Sequence, residues 1–184
     1  MEATKTIQGD TEQDVWSQVE QDLNIDEIEH YEILIKQGNK DIEFIVDIDL
    51  GGGFEGGSQY AMLRSLVSVN NNFKFAIHNE DFIDEVGKFF GMQDVATGYE
   101  DLDKHLVIKT NDENKVRKIF ANDIMRNIFI ALDSFHCGIH THTDDGAQQH
   151  FLELYVDENV DDLLVLKSLY KVFYNLLIAI EQPD

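Results

Sequence analysis

Residues 134–156 read SFHCGIHTHTDDGAQQHFLELYV, and their pairing decides the fold. Asp145-Gly146 is a type I′ hairpin signal, because both central residues of that turn need positive φ. With this pair at the turn, Asp144 faces Ala147 and the register follows by counting outward. Thr141 then faces His150, Ile139 faces Leu152, Cys137 faces Leu154 and Phe135 faces Val156, which is one apolar face. The other face holds His136, Gly138, His140 and His142 opposite Tyr155, Glu153, Phe151 and Gln149. A slip by one residue would exchange the two faces, so the hydrophobic pattern itself pins the register. A hairpin of this kind belongs to an antiparallel sheet covered on one side.

On the polar face, His140 and His142 are neighbours about 6.6 Å apart along the strand. Glu153 sits diagonal to His140, within reach of a long side chain. Two histidines and a carboxylate would suit a divalent transition metal with open positions, and Gly138 leaves space above the set. By the same rise His136 lies about 13 Å from His140, too far to join. The competing reading is three histidines on a non-core face that are simply solvated, or packed under a helix. His150 falls at the edge of the apolar face, His78 at a strand–helix junction, and His105 outward on its strand.

The hairpin runs into residues 157–180, where a strand ends in an acidic cluster and a helix follows. The same device occurs twice upstream, in FKFAIHNEDFIDEVGKFFG and KHLVIKTNDENKVRKIFANDIMRNIFIAL. In the first, Phe82, Ile83, Val86, Phe89 and Phe90 make an apolar stripe closed by Gly91. In the second, Thr110 and Glu113 have capping-box spacing, and a break is expected near Asn122-Asp123. Acidic clusters at helix starts complement the helix dipole, so those carboxylates have a structural reason to be there. The last helix is apolar around much of its circumference, from Leu163 to Ile180, with Lys167 and Lys171 inside it. Such a helix is deeply buried or helps to form a homodimer; the charges within and before it argue against a membrane span.

Nearer the N-terminus, residues 10–24 read as a helix with Val15, Trp16, Val19 and Leu23 on one face, and with Thr11 and Asp14 at its start. Residues 31–37 and 41–50 read as strands around a Gly38-Asn39 turn. GGGFEGG at 51–57 is not a phosphate loop, since no Gly-Lys-Ser/Thr follows; a wide hairpin or bulged loop is expected. Asp47 and Asp49 fall on the polar face of a strand and lack the spaced oxygen ligands of a calcium loop. Asp94, Asp101 and Asp103 lie in the turn-rich DVATGYEDLD and read as turn chemistry.

Asp and Glu number 36 against 14 Lys and Arg, giving a formal charge of -22. Such a chain repels phosphate backbones and anionic membrane surfaces, and leaves basic proteins, cations and neutral ligands as partners. Cys137 is the single cysteine, which fits a reducing, cytoplasmic setting. It falls on the apolar face and reads as an inert buried thiol. The N-terminal residues carry no apolar signal core, and residues 1–9 are expected to be flexible.

Between residues 47 and 130, the segments GGGFEGG, FAIHNEDFIDEVGKFFGMQD, TGYEDLD and IKTND resemble a family of uncharacterised bacterial proteins, a domain-of-unknown-function group. The resemblance implies that the glycine segment and the turns are family features. It implies no activity, and it does not extend to the histidine hairpin.

Residues 1–184 are therefore expected to form a single α+β domain: a mostly antiparallel sheet packed by three or four helices. The leading functional expectation is a non-enzymatic cytoplasmic interaction protein that engages a basic partner through its acidic surface. One alternative is a metal-dependent enzyme using His140, His142 and Glu153. Another is a small-ligand domain whose pocket adjoins the 51–57 glycine loop.

Overall fold

The computed structural model describes residues 4–23, 29–49, 51, 57–68, 72–79, 92–144, 147–157 and 159–182. The strands are β1 (Lys5–Gly9), β2 (His30–Gln37), β3 (Lys40–Asp49), β4 (Ser58–Leu66), β5 (Phe75–Asn79), β6 (Gln93–Asp94), β7 (Leu106–Thr110), β8 (Phe135–Asp144) and β9 (Ala147–Val156). The helices are α1 (Glu12–Asp22), α2 (Glu100–Asp103), α3 (Glu113–Ile119), α4 (Asp123–Ile130) and α5 (Leu163–Glu181). All nine strands join one sheet in the order β1-β2-β3-β4-β9-β8-β5-β7-β6. Every pairing is antiparallel except β1 with β2, which is parallel. The α+β architecture read from the sequence is the one observed.

One face of the sheet carries the core. Ile33, Ile35, Ile42, Phe44, Val46, Leu63, Phe75, Ile77, Phe135, Leu152 and Leu154 are all essentially inaccessible there. Trp16 of α1 lies over Phe44 and stacks on Tyr170 of α5, with ring centroids 6.4 and 6.1 Å apart. Phe120, just after α3, meets Phe75, and Phe129 of α4 meets Phe135. The helices α1, α3, α4 and α5 thus all pack on this face.

Local signals explain most helix ends. Asp14 N–H donates to Thr11 Oγ1 at 3.1 Å and Thr11 N–H donates to Asp14 Oδ2 at 3.0 Å, a reciprocal capping box. Asn122 accepts from Ile124 and Met125 N–H, so the expected break between α3 and α4 is a fresh N-cap. The start of α3 differs from expectation. Asp112 caps it through Lys115 N–H, while Thr110 Oγ1 accepts from Asp112 N–H and donates to Lys74 O. Thr110 is still in β7, and its hydroxyl ties strand to strand instead of capping.

The expected flexible lead-in is corrected over Lys5–Gly9, which forms β1. Ile7 is 3% exposed, and Asp22 of α1 accepts from Lys5 Nζ and from Tyr31 Oη of β2. Those bonds hold the Asp22 carboxyl below its ordinary value, Lys5 contributing most. A depressed carboxyl adds stability above the unfolded aspartate pKa of about 3.9 and loses it as pH falls through the lower folded value. Asp22→Asn is expected to lower stability at pH 7 by under about 1 kcal/mol, with the deficit vanishing in the acid range. Thermal melts of both proteins between pH 7 and 2.5 test this.

The helix α5 is long and apolar enough to cross a bilayer, and 44% of that stretch is buried inside the fold. Leu166, Leu169, Tyr170, Val172, Phe173, Leu176, Leu177 and Ile180 face the sheet and neighbouring helices. Burial therefore accounts for part of its apolar circumference, while Leu164 at its start is 73% exposed. Near its C-terminus, Lys40 pairs with Glu181, whose other oxygen accepts from Ser68 N–H at 3.1 Å. The glycine loop beyond Gly51 and the helix expected over 82–91 lie outside the described residues.

Candidate functional site

The hairpin register matches the sequence reading pair for pair, from Phe135↔Val156 to Asp144↔Ala147. Its turn residues lie outside the described set. Because β9 pairs with β4, and β4 with β3, the polar face of the hairpin continues across the sheet. The register aligns Glu32, Ile45, Met62, Tyr155, His136 and His78 in one lateral row. The next row holds Leu34, Glu43, Arg64, Glu153, Gly138 and Ala76. Among the described residues no helix packs on the part formed by β2, β3, β4 and β9.

The chemistry of this face is that of paired charges between half-buried rings. Arg64 donates to Glu43 at 2.7 and 2.9 Å and lies 5.1 Å over the Phe151 ring. Tyr60 stacks on Tyr155 at 5.4 Å, and Tyr155 stacks on His136 at 5.3 Å. His30 Nδ1 lies 2.9 Å from Asp47. Burial and the nearby Asp157 charge push the Tyr155 hydroxyl pKa upward, so it stays a neutral donor at physiological pH. Glu32, Asp41, Glu43, Asp47, Asp49 and Glu153 outnumber Lys36, Arg64 and Lys109 here, so the face is net acidic.

The expected metal set comes together only in part. Glu153 Oε1 lies 2.8 Å from Nε2 of His142, where the diagonal register had pointed to His140. The Gly138 space is taken: a Cβ there would stand 3.0 Å from Phe75 O and 3.3 Å from Ala76. Glycine at this point lets β5 approach β8, and Gly138→Ala is expected to cost about 1–3 kcal/mol by wedging them apart. Denaturant unfolding measures the loss, and faster amide exchange at Ile77 and Cys137 locates it. His136 corrects the spacing estimate, since its ring lies 6.2 Å from that of His140, edge to face. The backbone rise sets Cα spacing, but rings on one face lean toward each other. Among the described residues no group of three His, Cys, Asp or Glu side chains is placed to hold a metal ion.

These histidines line a cleft of about 640 Å³ at the margin of the sheet, together with Asn72, Phe73, Lys74, Met92 and His150. Cys137 lies on the opposite, core face; burial drives its thiol pKa far upward, with the Glu153 charge adding to it, which keeps it a thiol. Of the aspartates of DVATGYEDLD, Asp103 does turn work and the other two make ion pairs. Asp103 accepts from Thr97 N–H, Thr97 Oγ1 and Gly98 N–H, while Asp101 pairs with Arg126 and Asp94 with Lys109. Sequence reading also missed the continuity of the face, visible only once β9 is known to lie between β4 and β8.

No protein-family model matches the chain, and no curated protein matches it. Among solved structures, the crystal structure of the mycobacterial trehalose monomycolate transport factor A, TtfA, aligns with 80% of this chain and 78% of its own. The identity is 10% and the TM-score 0.41, a likeness too distant to bear on function.

Proposed function

We propose that this chain is a non-enzymatic cytoplasmic binding protein that receives a cationic protein partner on the polar face of β2, β3, β4 and β9. The observation that carries the reading is the row Ile45, Met62, Tyr155 and His136, which is half-buried, free of described helices and bordered by carboxylates. Aromatic residues, methionine and arginine are the types enriched in protein interfaces, and this face has Tyr60, Met62, Arg64, Phe151 and Tyr155 together. Glu32, Asp41, Asp47 and Asp49 along its border, and a chain charge of -22, select a cationic partner and speed its approach. The buried single thiol of Cys137 supports a reducing compartment.

Immobilised protein at low salt is expected to retain a basic polypeptide from a cell extract. That polypeptide should leave as ionic strength rises past about 0.15 M, where the Debye length shortens to about 8 Å. Retention of no basic polypeptide at low salt would contradict the reading.

A further inference from the structure

The strand β8 runs from Phe135 to Asp144, yet β5 pairs with it only at His136, Cys137 and Gly138. Beyond Gly138, β9 flanks one side, and among the described residues no strand flanks the other. The chain entering β5 is steered off this edge. Asn72 takes a positive φ of 56°, a turn conformation that asparagine tolerates. Asn111 Nδ2 donates to Asn72 O at 2.9 Å, Lys74 N–H donates to Asn111 Oδ1 at 2.7 Å, and Thr110 Oγ1 donates to Lys74 O at 2.7 Å. Three bonds thus hold residues 72–74 toward β7. The 640 Å³ cleft opens between Phe73-Lys74 and the overhanging strand.

The direction of the overhang's backbone groups follows from one bond. Val67 N–H donates to His150 O at 2.9 Å, so the His150 carbonyl points away from β8. His150 and its partner Thr141 are then a non-hydrogen-bonded pair, and the N–H and C=O of Thr141 point outward, away from β9. The two-residue period of a strand gives Ile139 and Thr143 the same direction. A row of outward backbone groups beside a cleft is the geometry that accepts an added strand.

We infer that an extended segment of the partner adds to β8 along Ile139, Thr141 and Thr143. The described residues lining the cleft include one lysine, Lys74, and one carboxylate, Glu153. Their charges cancel, so the segment's contact residues are uncharged, alternating small polar and apolar side chains. Its basic residues lie outside the cleft, where the field of the acidic chain attracts them. The inference rests on the cationic-partner reading for those flanking charges alone.

A peptide of alternating threonine and valine flanked by paired lysines is a direct probe, with a glutamate-flanked version as its counterpart. The lysine-flanked peptide is expected to slow amide exchange of Thr141 and Thr143 by about tenfold or more, leaving His140 and His142 unchanged since those already bond to β9. Thr143→Pro should abolish binding while retaining the native melt, because the lost N–H faces outward. Salt-sensitive binding without protection of these amides overturns strand addition and leaves the cationic-partner reading standing. Equal protection by the glutamate-flanked peptide upholds strand addition and overturns the cationic preference. Protection by neither peptide overturns strand addition.

Discussion

Trp16→Ala is expected to remove about 3–5 kcal/mol of stability, the largest loss from one substitution outside the candidate site. Trp16 is 0% exposed and lies where three elements meet: its own α1, Phe44 of β3 and Tyr170 of α5. Truncation leaves a cavity that the sheet cannot close, because Val15 and Val19 already fill the flanks of α1. Stability of a domain is commonly 5–15 kcal/mol, so the variant should be partly unfolded at physiological temperature. The indole Nε1 is buried and finds no hydrogen-bond partner among the described residues. Trp16→Phe should therefore cost much less than Trp16→Ala, since it keeps a ring and removes an unsatisfied donor. Equilibrium denaturation of the two variants tests both halves. Near-equal losses would show that the indole position does not centre the packing.

The second large effect concerns binding. Glu32→Lys with Asp47→Lys reverses two charges beside the Ile45–Met62–Tyr155 row, and neither residue packs in the core. Affinity for the basic partner is expected to fall on the order of tenfold or more, with a weaker salt dependence. Glu20→Lys with Asp133→Lys changes the formal charge of the chain by the same amount on the helix side and in the α4–β8 connection. That variant should lose little. Equal losses in the two would show that net charge acts without a site. Asp47 also holds His30 at 2.9 Å, so the melting temperature of the variant must accompany the affinity.

Local patterns made much of the fold legible. Asp145-Gly146 and the alternation on either side determine the hairpin register without outside help. The Thr11/Asp14 spacing places the start of α1, and Asn122-Asp123 the break before α4. What stayed hidden depends on distant partners. Lys5–Gly9 has a single apolar residue, Ile7, and becomes a strand only because β2 and Asp22 hold it. The strand β4 buries Ala61, Leu63 and Ser65, a face too small and mixed to stand out in sequence. The pairing inside the candidate metal set was hidden for a related reason. Register places Glu153 beside Gly138, but only side-chain packing decides that its carboxylate goes to His142. The interaction face, likewise, exists only through the strand order β3-β4-β9-β8.

Residue-resolved amide shifts during titration with the captured basic partner test the central claim most directly. The account predicts shifts concentrated at Glu32, Ile45, Asp47, Tyr60, Met62 and Tyr155, and along Ile139 to Thr143. Shifts spread evenly over the acidic residues of α1, α2 and α4, with the sheet face silent, would contradict it.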